Sequence, residues 1–131
     1  MSLKKIKKIK LDIIKNKKGD ILKYLNRKDK FFNKFGEIYF TEIKKNEIKG
    51  WNYHKKCFCL FAVPYGEVKF IFAKKISGKK KIIKISRKNY FIIVVPPKTW
   101  FCFRSISKIS LIVNCLDKIH DPKESLKIAI D

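Results

Sequence analysis

The residues best placed to do chemistry lie together in Gly50-Trp51-Asn52-Tyr53-His54-Lys55-Lys56. The stretch joins two runs in which apolar and polar residues alternate. Residues two apart in a strand share a face. Asn52 and His54 therefore point one way, and Trp51 and Tyr53 the other. Histidine, with an ordinary pKa of ~6.5, is the side chain suited to moving protons near neutrality. Turned inward, Asn52 and His54 put polar groups inside a β structure, where they are costly unless used. Turned outward, they are solvated on an edge. The alternation is compatible with both. A second histidine, His120, precedes Asp121-Pro122 and reads as a turn residue unless the fold brings it to the site.

The elements around this stretch are short and regularly spaced. Ile9 to Ile13 alternates with charged residues and reads as a first strand. Asn16 to Asp20 is a turn, Ile21 to Leu25 a second strand, and Arg27 to Lys34 a loop or a single helical turn. Glu37 to Ile43 is β-like. Cys57 to Val63 leads into a turn at Pro64-Tyr65-Gly66, and Glu67 to Ala73 alternates again. Lys74 to Lys81 reads as a solvated hairpin tip, followed by a strand over Lys81 to Ser86. Tyr90 to Val95 is a continuous apolar run, the mark of a buried strand, ended by Pro96-Pro97. Trp100 to Arg104 and Ile109 to Leu116 complete the strands, with Ser125 to Ile130 a last strand or a helical turn. About ten strands separated by Pro/Gly turns imply an all-β sandwich or barrel, compatible with a jelly roll.

Composition narrows the function classes. The chain has 131 residues, enough for one domain and one core. We expect a single domain over residues 1–131, with about 1–16 as an N-terminal strand or arm. The net charge of +22 invites a polyanion as partner. Yet of 33 basic residues the arginines are Arg27, Arg87 and Arg104. Specific recognition of phosphate and bases favours the arginine fork. Scattered lysine predicts no specific nucleic-acid partner, only weak binding by counterion release. Cys57, Cys59, Cys102 and Cys115 all sit in apolar runs, and Cys57-x-Cys59 lacks the gap of a zinc knuckle. Reduced, buried thiols fit a cytoplasmic protein. No apolar core follows the basic N-terminus, so no secretory signal is expected. No apolar run approaches ~20 residues, so no membrane span is expected either.

Three blocks in order carry a resemblance. They are Gly50-Trp51-x-x-His54-Lys55-Lys56 with Pro64-x-Gly66-x-Val68-Lys69-Phe70, then Val95-Pro96-Pro97-Lys98-Thr99-Trp100-Phe101-Cys102-Phe103, then Leu111-Ile112-Val113-Asn114 with His120 to Glu124. Lys18-Gly19-Asp20 and Phe35 to Phe40 fit as well. From about Lys17 onward the chain resembles the cupins related to dTDP-4-dehydrorhamnose 3,5-epimerase and the dTDP-sugar 3,4-ketoisomerases. The resemblance implies a cupin jelly roll, a nucleotide-sugar substrate, a homodimer, and a role in surface-polysaccharide synthesis. The strand Ile9 to Ile13 is the candidate for pairing subunits.

In that family a histidine base removes a proton beside the sugar's keto group and a strand tyrosine serves as acid. Carried over, His54 matches the second histidine of the family's His-x-His and Tyr39 offers the phenol. The pattern also departs. Lys49 stands where the family has arginine, and Asn52 where it has its first, catalytic histidine. Phe101 replaces another histidine, and Asn114 falls near the epimerases' tyrosine. Asparagine is no base, so His54 is the candidate proton-transfer residue. Lys49, Lys55, Lys98 and Arg104 are candidates for the diphosphate, with Trp51, Trp100, Phe101 and Phe103 for stacking on base or sugar. Asn52 and Asn114 are candidates for hydrogen bonds to substrate. One inward histidine among Asn52, Phe101 and Asn114 makes a poor transition-metal site, so neither metal nor cofactor is expected. Three readings stay open: epimerase or ketoisomerase, a nucleotide-sugar-binding cupin that has lost its base, and a basic nucleic-acid-binding β-domain.

Overall fold

The computed structural model describes residues 5–130. Twelve strands form three antiparallel sheets: β1 (Lys7–Lys10), β2 (Ile13–Ile14), β3 (Ile21–Leu22), β4 (Glu37–Lys44), β5 (Ile48–His54), β6 (Cys59–Tyr65), β7 (Val68–Ala73), β8 (Lys80–Ile85), β9 (Phe91–Val95), β10 (Trp100–Ser105), β11 (Ile109–Leu116) and β12 (Ser125–Lys127). One five-stranded sheet has the order β1-β9-β6-β11-β4 and the other β12-β5-β10-β7-β8, while β2 and β3 form a small separate pair. Two antiparallel sheets facing each other around an aromatic core make a jelly roll of the cupin kind. No helix among the described residues is long and apolar enough to cross a membrane.

Alternation explains which side chains meet. Phe70 and Phe72 of β7, Phe101 and Phe103 of β10, and Phe61 and Val63 of β6 point between the sheets into one buried cluster. Phe61 sits at its centre, with ring centroids 5.3 Å from Phe70 and 5.2 Å from Phe101. Leu60 and Ala62, the residues in between on β6, face outward and are buried too. They join Val94, Val113 and Cys115 in a second cluster, roofed by Leu22, Tyr24, Leu25, Phe31 and Phe32 of the N-terminal segment. Tyr24 ties that roof down by donating to the Leu60 carbonyl. Cover on both faces is why β6 and β9 read as continuous apolar runs.

Some expected boundaries move. Ile9 to Ile13 is not one strand. β1 stops at Lys10, where the Leu11 N–H donates to the Tyr90 carbonyl at 3.0 Å and the chain turns onto the outer face. The first four residues of the expected arm lie outside the described residues. Pro64 and Tyr65 belong to β6 rather than to a turn. Proline is tolerated there because neither neighbour pairs with it: β9 pairs only with Cys59, Leu60 and Phe61, and the register with β11 breaks between Ala62 and Tyr65. At the C-terminal end a strand forms, not a helical turn.

Candidate active site

β5 is the strand on which the site is built. Its pairing with β10 matches Asn52 to Phe101 but Gly50 to Cys102, leaving Trp51 as an extra residue. The bulge needs glycine. Gly50 has φ of +122°, and a Cβ there would meet the Cys102 Cβ at 2.7 Å and the Phe101 carbonyl oxygen at 2.8 Å. On its other side Trp51 exchanges both backbone hydrogen bonds with Ile128, just past β12. The extra residue shifts the phase of the strand. Lys49 pairs with the inward-facing Phe103 and so joins the side of Asn52 and His54. Strict alternation would have put it with Trp51 and Tyr53.

These side chains line a cleft of about 630 Å³ between the sheets. Lys49, Asn52, His54 and Phe101 come from the second sheet and Tyr39 and Thr41 from the edge strand β4, with His120 and β12 closing one side. The volume falls within the range of small-molecule sites, ~300–1,000 Å³.

His54 is held firmly. Its Nδ1 lies 2.7 Å from Glu124 Oε1, and its ring stacks on Phe101 with centroids 6.0 Å apart. The other carboxylate oxygen of Glu124 accepts the backbone N–H groups of Lys56 at 2.9 Å and Cys57 at 3.0 Å. Burial alone would raise the Glu124 pKa. The hydrogen bonds from His54, Lys56 and Cys57 outweigh it and hold the carboxyl below its ordinary value. An ionised carboxylate can only accept, so the proton of a neutral His54 sits on Nδ1. That leaves the Nε2 lone pair for chemistry, the arrangement a general base requires.

Tyr39 is the second proton-bearing group. Its hydroxyl accepts from Asn114 Nδ2 at 3.3 Å, while Asn114 Oδ1 accepts the Leu60 N–H at 3.1 Å. Burial pushes the Tyr39 phenol above its ordinary value, with the Asn114 bond partly opposing. The phenol stays protonated near neutrality and can donate to a substrate oxygen.

The sequence candidates thus divide. Tyr39, Lys49, Asn52, His54, Phe101 and Phe103 line the cleft, and so does His120, exposed in the loop before β12 at the cleft's edge. Four others do not. Asn114 is 1% exposed beneath the cleft and reaches it only through Tyr39. Trp100 points to the outer face, against Tyr53 at 4.8 Å, because it alternates with the inward Phe101. Arg104, in the same phase, is exposed and donates to Asn46 at 3.0 Å. Lys55 lies past the end of β5, its amine on the Lys123 carbonyl at 3.2 Å. Sequence reasoning missed Glu124 as a site residue, although the block Asp121-Pro122-Lys123-Glu124 was already singled out. All four cysteines are free and buried. Burial raises the Cys59 thiol well above its ordinary value, and the Cys102 thiol to about 11 against the pull of Lys80 and Lys69, so neither is a ready nucleophile. Among the described residues no group of three or more His, Cys, Asp or Glu is placed to hold a metal ion.

The sheets and cleft define the class, a small cupin. Comparison with solved structures follows from that class. The chain is 28% identical to a dTDP sugar isomerase from Desulfovibrio desulfuricans, with a TM-score of 0.91 over 97% of this chain and 85% of that one. It is 20% identical to a sugar 3,4-ketoisomerase from Thermoanaerobacterium thermosaccharolyticum solved with TDP, with a TM-score of 0.81 over 95% and 89% of the two chains. It is 14% identical to a dTDP-6-deoxy-D-glucose-3,5-epimerase from Legionella pneumophila solved with dTDP-4-keto-L-rhamnose, with a TM-score of 0.77 over 94% and 77%. At the last two identities the likeness is one of fold. No family model and no curated protein matches the sequence.

Proposed function

We propose that this protein isomerises a 4-keto sugar joined to thymidine or uridine diphosphate, as an epimerase or a ketoisomerase, in surface-polysaccharide synthesis. The observation that carries the reading is His54, gripped at Nδ1 by Glu124 in a cleft that also holds Lys49, Asn52 and Tyr39. A proton next to a ketone leaves only if a base reaches it and a donor steadies the enolate oxygen. His54 Nε2 is the base. Tyr39 or Asn52 is the donor, and Lys49 meets the diphosphate. Likeness to the Desulfovibrio dTDP sugar isomerase over nearly the whole chain supports the substrate class. The test is incubation with a panel of dTDP- and UDP-4-keto sugars in deuterated water. Deuterium at C3 or C5 for an epimerase, or at C4 of the 3-keto product for a ketoisomerase, supports the reading, and a full panel without exchange sinks it.

Asn52 favours a second reading, a cupin that binds nucleotide sugar without turning it over. Asn52 stands where the resemblance places the catalytic histidine. A histidine-to-asparagine mutant of the Thermoanaerobacterium ketoisomerase has been solved in complex with TDP-4-keto-6-deoxyglucose. On this second reading Asn52→His should create exchange where the native chain has none. On the first, native exchange is already present and Asn52→His changes its rate by about tenfold or less.

The protein is also proposed to pair as a homodimer. β1 and β4 are the edges of the first sheet, and sheet edges invite pairing. Two antiparallel copies of β1 would set Lys7, Lys8 and Lys10 against each other, which repels. β4 carries Ile38, 44% exposed, and Phe40, 62% exposed. β4 is therefore the better-supported pairing strand than the run Ile9 to Ile13.

A further inference from the structure

The cleft uses little of the protein's positive charge, and a second cavity shares none of the cleft's residues. It measures about 660 Å³ and lies on the outer side of the first sheet, beneath the N-terminal segment. Its floor is Leu60, Val94 and Cys115, each 6% exposed or less. Phe31, Phe32 and Phe58 wall it, and Lys5, Lys7, Lys30 and Lys34 line it as well. Phe61, the neighbour of Leu60 on β6, faces the cleft, so the two cavities lie on opposite faces of one sheet.

The lining selects a ligand chemistry. Among the described residues none of these four lysines pairs with a carboxylate. The single carboxylate in the wall, Asp117, already accepts the Phe58 N–H at 2.9 Å. The floor carries no side-chain nitrogen or oxygen, and Asn33 is the one uncharged amide in the lining, so little there reads a nucleobase or a sugar hydroxyl. A neutral hydrocarbon would leave the lysines without a counterpart, and a polyanion would leave the apolar floor unused. We propose that this cavity binds an anionic amphiphile with a single hydrocarbon chain. The chain lies on Leu60, Val94 and Cys115 between the phenyl rings. The carboxylate or phosphate head meets the lysine amines, whose aliphatic stems extend the apolar walls.

The test is calorimetric titration of the full chain with dodecanoate, tetradecanoate and dodecyl phosphate, each below its micelle concentration. Dodecyl maltoside and dodecyltrimethylammonium serve as neutral and cationic controls. Expected is one site per chain, tightening roughly tenfold from dodecanoate to tetradecanoate, since two more methylenes are buried. Whichever anionic head binds more tightly identifies the natural one. The exposed pair Lys30→Glu and Lys34→Glu should weaken dodecanoate at least tenfold and leave dTDP binding unchanged. Saturating dTDP should not compete, because the cleft is on the other face. The proposal is overturned if the neutral or cationic amphiphile binds as well as the anions. It is also overturned if the charge reversal has no effect, or if binding is absent.

Discussion

At the scale of single residues, the site depends on a contact spanning 70 positions, His54 with Glu124. Histidine and strand alternation made His54 legible in the sequence. Glu124 stood in a block that the resemblance singled out, but nothing local marked its role, which comes from where β12 lands beside β5. We expect Glu124→Gln to lower kcat about tenfold or more while KM changes little, since Glu124 orients the base and does not line the cleft. Losing a carboxylate that accepts three hydrogen bonds should also cost about 2 kcal/mol of stability. The pH dependence has a definite sign. The Glu124 pKa lies below its ordinary value of 4.5 in the folded protein. Its stabilisation is therefore complete above 4.5 and is lost as pH falls through the lower folded value. Thermal unfolding across pH 3 to 7 should show that acid-side loss in the native protein and a flatter curve in the Gln variant. Parallel curves would remove Glu124 from the account.

At the scale of elements, the alternation of β6, β7 and β10 showed which aromatic residues form the core. It did not show where the alternation breaks. Lys49 shares a face with His54 because Trp51 is bulged out, and the signal for that bulge is Gly50. Trp100 and Arg104 were grouped with Phe101 as binding residues, although alternation alone separates them from it. Asn114 is buried and reaches the cleft only through the Tyr39 hydroxyl. Gly50→Ala should destabilise the fold by more than ~1 kcal/mol, through both a positive φ and the clash with Cys102. If the variant folds at all, it should lose affinity for dTDP, because β5 must slip and Lys49 leaves the cleft. A denaturant titration with unchanged midpoint would show that the bulge is dispensable.

At the scale of the whole molecule, two sheets around a phenylalanine core follow from about ten short strand-like runs with turns between them. The ordered blocks that resemble sugar-nucleotide cupins agree with the fold and with the solved neighbours. Pairing of subunits belongs to this scale as well. Light scattering at micromolar concentration should report twice the mass of one chain, and Phe40→Lys on the exposed side of β4 should shift it toward the monomer. A monomeric native protein would end the dimer proposal.

The central claim, that His54 moves the substrate's proton, is tested most directly by proton exchange in His54→Asn. Asparagine keeps approximate size and some hydrogen bonding but has no titrating nitrogen. The measurement is loss of the alpha-proton NMR signal of dTDP-4-keto-6-deoxyglucose in deuterated water, with dTDP affinity followed in parallel. The expected result is exchange by the native protein, none above background by His54→Asn, and dTDP binding within about twofold in both, the Lys49 contact being untouched. Native-rate exchange by His54→Asn would contradict the claim and assign the base elsewhere.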